Sequence, residues 1–212
     1  MSKLNYKYSK SEERLNVATH AFGLLLSGIT FPFLILKAMD FNGFWKPASI
    51  IIYGLSLLIL YSASTFYHAA KRPKTRRLLN IFDHAAIYVL IAGTYTPFTI
   101  ITLEGTTGWI IFGLTWVFAL VGIVLKLFFT GRFDKLSTIM YVLMGWQVVF
   151  AINPLLENLA IEGLQLLFAG GIFYTIGAIL YSIKKIPYNH AIFHVFVLLG
   201  SFSHFLSVYC YV

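Results

Sequence analysis

The chain has 212 residues, 58% apolar and only 11% charged, and nearly uncharged runs of about 20 residues recur from one end to the other, the length a helix needs to cross a hydrocarbon core. A soluble domain cannot hide so many continuous apolar stretches, and the length leaves no room for a second domain of ordinary size. The formal charge of +8 would point to nucleic acid on a soluble protein. Here the basic residues flank the apolar runs, so they are read as topology signals and contacts to anionic lipid headgroups, with no nucleic-acid partner.

In chain order, Met1 to Arg14 are polar and basic, and the first apolar run is too long for the core of a cleavable signal. Residues 1–16 are therefore expected to form a cytoplasmic N-terminal segment, and 17–212 a single transmembrane domain. Seven spans are predicted: Val17–Lys37, Ala48–Ala70, Leu79–Leu103, Gly108–Phe129, Leu136–Ile152, Leu159–Ile183 and His190–Tyr211. The connections carry turn residues: Asp40, Asn42 and Gly43, then Pro73, Glu104-Gly105, Gly131, Asn153-Pro154 and Pro187. Pro97 is expected to kink the third span. Small residues such as Gly23, Gly28, Gly113, Gly122, Gly170, Gly171 and Gly177 let helices approach closely in lipid. Cys210 is the only cysteine, which excludes an internal disulfide and a cysteine-based metal site.

Charge sets the expected orientation. Fourteen of the sixteen basic residues fall on one side of this seven-span arrangement: Lys3, Lys7, Lys10 and Arg14 before the first span, the run Lys71 to Arg77 after the second, then Lys126, Arg132 and Lys135, and Lys184 and Lys185. Only Lys37 and Lys46 fall on the other. The positive-inside rule places the N-terminus in the cytoplasm and the C-terminus outside.

Ionisable groups in hydrocarbon are expensive and point to function. His20, His68, Asp83, His190 and His194 all fall at the cytoplasmic ends of their spans, beside Glu13 and Asn16. His190 and His194, at i and i+4, share a helix face with their rings about 6 Å apart, a spacing that suits a shared metal. Ser64 and His68 repeat the spacing on the second span. A third histidine from another helix would complete a three-histidine set with an open position for water, as in a catalytic zinc site, with Asp83 placed to hold or deprotonate that water. A proton relay, a haem between two histidines and plain structural hydrogen bonding remain open on the same residues. His84, about 100° around the helix from Asp83, is expected to meet headgroups or a loop. His204, roughly 15 Å deeper than His194, is expected to bond a neighbouring helix or line a cavity. The Lys71–Arg77 run reads as a lipid anchor.

Four motifs in order carry a family resemblance: Glu13-x-x-Asn16-x-x-x-His20, Ser64-x-x-x-His68, Asp83, and His190-x-x-x-His194. They resemble the progestin and adipoQ receptor superfamily and, within it, the bacterial hemolysin III branch, over Glu12 to about Tyr209. The resemblance implies a seven-helix bundle with a cytoplasmic N-terminus. It also implies Zn2+ held by His68, His190 and His194, with Asp83 reaching the metal through water, Ser64 nearby, and Glu13, Asn16 and His20 supporting the site. Related alkaline ceramidases hydrolyse a lipid amide, and bacterial members are named for haemolytic activity and associated with membrane lipid homeostasis.

The expectation is an all-α, multi-pass protein of the bacterial inner membrane with membrane lipids as partners. It would act as a zinc-dependent lipid amide or ester hydrolase in which Asp83 and Ser64 are catalytic. The alternative is a non-enzymatic membrane protein, either a haemolysin or a sensor of bilayer state with structural zinc. A transporter is less favoured because no internal repeat is visible. A retinal protein is disfavoured because the last span has no lysine for a Schiff base.

Overall fold

A computed structural model describes residues 8–130 and 134–212, apart from the side chains of Asp134 and Lys135. Lys3, Lys7, Gly131 and Arg132 lie outside the described residues, as does the side chain of Lys135. Among the described residues, seven helices are long and apolar enough to cross a membrane.

Helix α1 (Lys10–Ala38) begins two turns before the expected Val17. The reason is local. Ser9 is its N-cap and accepts from the Glu12 backbone N–H at 3.2 Å, a serine followed three residues later by a glutamate. The early start draws Glu13 and Asn16 into the bundle, where both are buried. Helix α2 (Trp45–Ala69) returns, and α3 (Pro73–Pro97) runs into a π-helical turn at Phe98–Thr102. Pro97 has no N–H to donate, and the helix relaxes just beyond it: Leu103 N–H bonds Phe98 O at 2.8 Å, one residue wider than an α-turn. Helix α4 (Gly105–Phe129) follows a tight reversal in which Gly105 takes φ +57°.

The fifth crossing departs from expectation. It consists of α5 (Asp134–Gly145), a 3₁₀ turn (Gln147–Ala151) and α6 (Ile152–Asn158). Asn153-Pro154, read from sequence as the loop after this span, sits in the first turn of α6. A proline is tolerated there because its missing N–H would have had no partner. The break lies earlier, around Trp146, where the Tyr95 hydroxyl repairs the backbone: it donates to Gly145 O at 2.7 Å and accepts from Val148 N–H at 2.8 Å. Helices α7 (Ile161–Ser182) and α8 (Asn189–Tyr211) complete the set.

Helices α1, α2, α3, α5, α7 and α8 contact one another in turn and close a ring, with α4 packed outside against α3. The face of α4 with Ile110, Leu114, Phe118 and Val121 is exposed, as a lipid-facing helix requires. Gly23 permits the close approach of α1: a methyl group there would collide with Tyr61 and Leu198, whereas Gly28 has open space around it. Leu34, Ile50, Tyr53, Leu155 and Val208 form a dry core toward the end of the bundle away from Tyr8.

Candidate metal centre

At the Tyr8 end, α2 and α8 bring three imidazoles together. His68 Nε2 lies 3.0 Å from His190 Nε2, which lies 3.1 Å from His194 Nε2. Among the described residues this is the cluster of buried histidines and acids whose donor atoms converge closely enough to hold an ion. The i, i+4 pair on α8 supplies two of them. The start of α8 is fixed from two sides: Asn189 Nδ2 donates to Tyr181 O at 2.8 Å, and the backbone N–H of His190 donates to Glu12 Oε1 at 3.4 Å. The left-handed Tyr188 (φ +57°) turns the chain into that helix.

The far sides of two rings meet acceptors. His68 Nδ1 lies 2.7 Å from Glu13 Oε2. His194 Nδ1 lies 3.3 Å from the Asn16 carbonyl and 3.2 Å from Thr19 Oγ1. The Thr19 hydroxyl donates back to Leu15 O at 2.8 Å, which leaves its lone pairs for the ring. A carboxylate and a carbonyl only accept, so each Nδ1 carries the proton and each Nε2 presents a lone pair to the centre. Two lone pairs point at one place and His190 can donate to only one of them, so the three nitrogens could hold a metal ion. The observed separations are also close to the roughly 3.3 Å between nitrogens bound at about 2.0–2.1 Å to a tetrahedral ion. Donor type, tautomers and spacing all fit a metal held by His68, His190 and His194.

Asp83 is outside that cluster but lines the same cavity of about 140 Å³, with Ser64, His20, His190 and His194. The Ser64 hydroxyl is buried with no hydrogen-bond partner among the described residues. The His20 ring stacks on His194 with centroids 3.5 Å apart and planes 12° from parallel, and neither of its nitrogens has a partner among the described residues. Asn16 supplies the carbonyl to His194, and its side-chain amide lies 3.4 Å from His68 Nδ1. Of the eight residues singled out from sequence, His68, His190 and His194 converge, Glu13, Asn16 and His20 contact their rings, and Ser64 and Asp83 line the adjoining cavity. His204 lines the cavity further along α8, its Nε2 donating to Leu167 O at 3.0 Å.

Three placements correct or extend the sequence reading. His84 has its Nδ1 3.0 Å from the Asn80 carbonyl of its own helix. It lines the same cavity as Asp83, its Nδ1 3.6 Å from Asp83 Oδ2, because α5 covers that side of α3 and Tyr141 bonds the His84 carbonyl at 3.0 Å. Arg76, read as part of the lipid-anchoring run Lys71–Arg77, is buried and bonds Glu13. Its seven-residue separation from Asp83 puts both on one helix face and was a usable signal. Tyr8 stacks on His190, centroids 4.6 Å apart and planes 12° from parallel, and burial pushes its phenol well above the usual range. No spacing rule pointed to it, because it precedes the first helix.

The family described as haemolysin-III related matches residues 8–205. The sequence is 47% identical over 204 residues to the hemolysin-3 homolog of Bacillus subtilis (strain 168), covering 96% of each chain. It is 46% identical over 201 residues to hemolysin-3 of Bacillus cereus, covering 95% of this chain and 92% of that one. A more distant likeness, 27% identity over 212 residues, links it to the monocyte to macrophage differentiation factor of Homo sapiens, covering 97% and 87% of the two chains. No solved structure matches.

Proposed function

The chain belongs to the haemolysin-III-related family and is a multi-pass bacterial membrane protein, and on that premise we propose that it is a zinc-dependent hydrolase of a membrane lipid amide or ester, serving lipid homeostasis. In this reading the site lies just beneath the cytoplasmic headgroups, with the N-terminus inside. The observation that carries it is the convergence of three Nε2 atoms within one buried cluster. His68, His190 and His194 would hold the ion, and all-nitrogen donors with an open fourth position favour zinc. Zinc in such a site supplies Lewis acidity toward a carbonyl and acidifies water.

The remaining work falls to side chains of this protein. Asp83 orients the attacking water and accepts its proton. The Ser64 hydroxyl, which has no partner to give up among the described residues, donates to the oxyanion that develops on the carbonyl. Apolar walls from Leu60, Ile87, Leu90, Phe193 and Val197 receive the acyl chain. Glu13 and Asn16 keep two imidazoles in the ligating tautomer.

The test is metal analysis of the purified protein together with turnover on a panel of lipid amides and esters. About one zinc per chain, with both zinc and turnover lost in His194→Ala, supports the proposal. Stoichiometric zinc without turnover on any lipid leaves a structural or sensing role. The names of the two Bacillus relatives favour a second reading, cytolysis. Lysis that persists unchanged in His68→Ala would separate that activity from the histidine site.

A further inference from the structure

Arg76 stands in the second turn of α3, within a run, Lys71 to Arg77, whose other members are exposed. Its side chain is 10% exposed, against 11% for Glu13 and none for His68. Nη2 donates to Glu13 Oε1. Nη1 lies 3.3 Å from the carbonyls of Tyr67 and His68 and 3.4 Å from that of Ala70. They are backbone acceptors in the last turn of α2; that of Tyr67 also accepts from the Ala70 N–H at 3.3 Å. The guanidinium also lies 4.7 Å from the centre of the Tyr67 ring. The second oxygen of Glu13 accepts from His68 Nδ1. Three helices therefore contribute to one line of contacts, Arg76 to Glu13 to His68, which ends at the Nε2 facing His190.

We infer that Arg76 is a positioning residue of the metal centre: it pins the Glu13 carboxylate against His68 Nδ1 and thereby sets the direction and donor strength of His68 Nε2. The inference rests on the metal reading above and deepens it. A carboxylate held at only one oxygen swings. Here both oxygens are taken, one by Arg76 and one by His68. The same guanidinium grips the backbone carbonyl of His68, so the carboxylate and the imidazole share one rigid frame of reference. The planar fork of arginine makes these contacts from a single group, and it stays charged throughout. Its charge also offsets that of a carboxylate taken largely out of water. A lysine at this position keeps the charge but has one nitrogen to divide among four acceptors. Partners of this kind behind a ligating histidine change metal affinity by about 10–100-fold.

The experiment is chelator-competition titration of zinc on the full-length protein in detergent, with the melting temperature of the metal-stripped protein measured alongside. The variants are Arg76→Ala, Arg76→Lys, Glu13→Gln, the double variant Arg76→Ala/Glu13→Gln, and the exposed neighbour Arg77→Ala as control. Arg76→Ala and Glu13→Gln should each weaken zinc by about 10–100-fold. The double variant should be no weaker than the worse single one, because both changes break the same line of contacts. Arg76→Lys should recover part of the loss, and Arg77→Ala should match wild type. Wild-type zinc affinity in Arg76→Ala, or losses that multiply in the double variant, would overturn the inference and leave Arg76 as a brace for the end of α2. If Arg76→Ala does not fold, wild-type affinity in Arg76→Lys overturns it instead. Wild-type protein that takes up no zinc overturns the metal reading itself.

Discussion

At the Tyr8 end of the bundle, Glu13, Asn16, His20, Arg76, Asp83 and three ligand-type histidines are buried together. At the Val212 end, the same α1, α2 and α8 bury Leu34, Ile50, Tyr53 and Val208 instead. The charged contact there, Lys46 to Glu104 at 2.5 Å, stays on the surface with side chains 39% and 60% exposed. Among the described residues, the apolar end buries no charged side chain. The polar end is therefore not a requirement of the fold. Each ionisable group taken out of water there needs a compensating partner. Glu13 and Arg76 compensate each other, and the converging imidazoles could hold a metal ion.

That contrast sets an order of expected effects. The largest is on metal content: His194→Ala should purify without stoichiometric metal, and a chelator that lowers the melting temperature of wild type should leave the variant unmoved. Metal retained at wild-type level would erase the distinction between the two ends. Next, Glu13→Ala leaves a guanidinium unpaired in a largely buried place and should destabilise the metal-free protein by about 3–5 kcal/mol in detergent unfolding. Gly23→Ala forces a methyl against Tyr61 and Leu198 and should cost about 1–3 kcal/mol, while Gly28→Ala, with open space, should be near neutral by the same measurement. Smallest is Glu104→Ala at the apolar end, within about 1 kcal/mol, with the difference shrinking further at high salt. An effect there as large as that of Glu13→Ala would mean that both ends depend on buried charge.

Much of the site could be read without coordinates because its parts follow local rules. An i, i+4 pair shares a helix face whatever surrounds it, so His190 and His194 had to adjoin. Once the spans alternate in direction, depth follows from residue number, which put His20, His68 and Asp83 at one level. Arg76 escaped because a sequence run of like charge describes a chain segment, whereas burial is decided by the rotation of one helix against two others. His84 escaped for a similar reason, since only the position of α5 turns a lipid-facing side of α3 into a cavity wall. The early start of α1 was within reach, because Ser9 and Glu12 already spell a cap. Hydropathy alone places the start later, because it cannot distinguish a charged residue before a helix from one inside its first turns.

Composition and spacing alone determined that this chain is a seven-span helical membrane protein with a layer of ionisable groups toward one end, because hydrophobic length and helical periodicity are properties of neighbouring residues. Tertiary packing alone decided which nitrogens face one another and which acceptors fix their tautomers. It also decided that a guanidinium from a basic run stands behind one of the three converging histidines. Those relations join residues that are 55, 63 and 122 positions apart in the chain, and no local rule spans such separations.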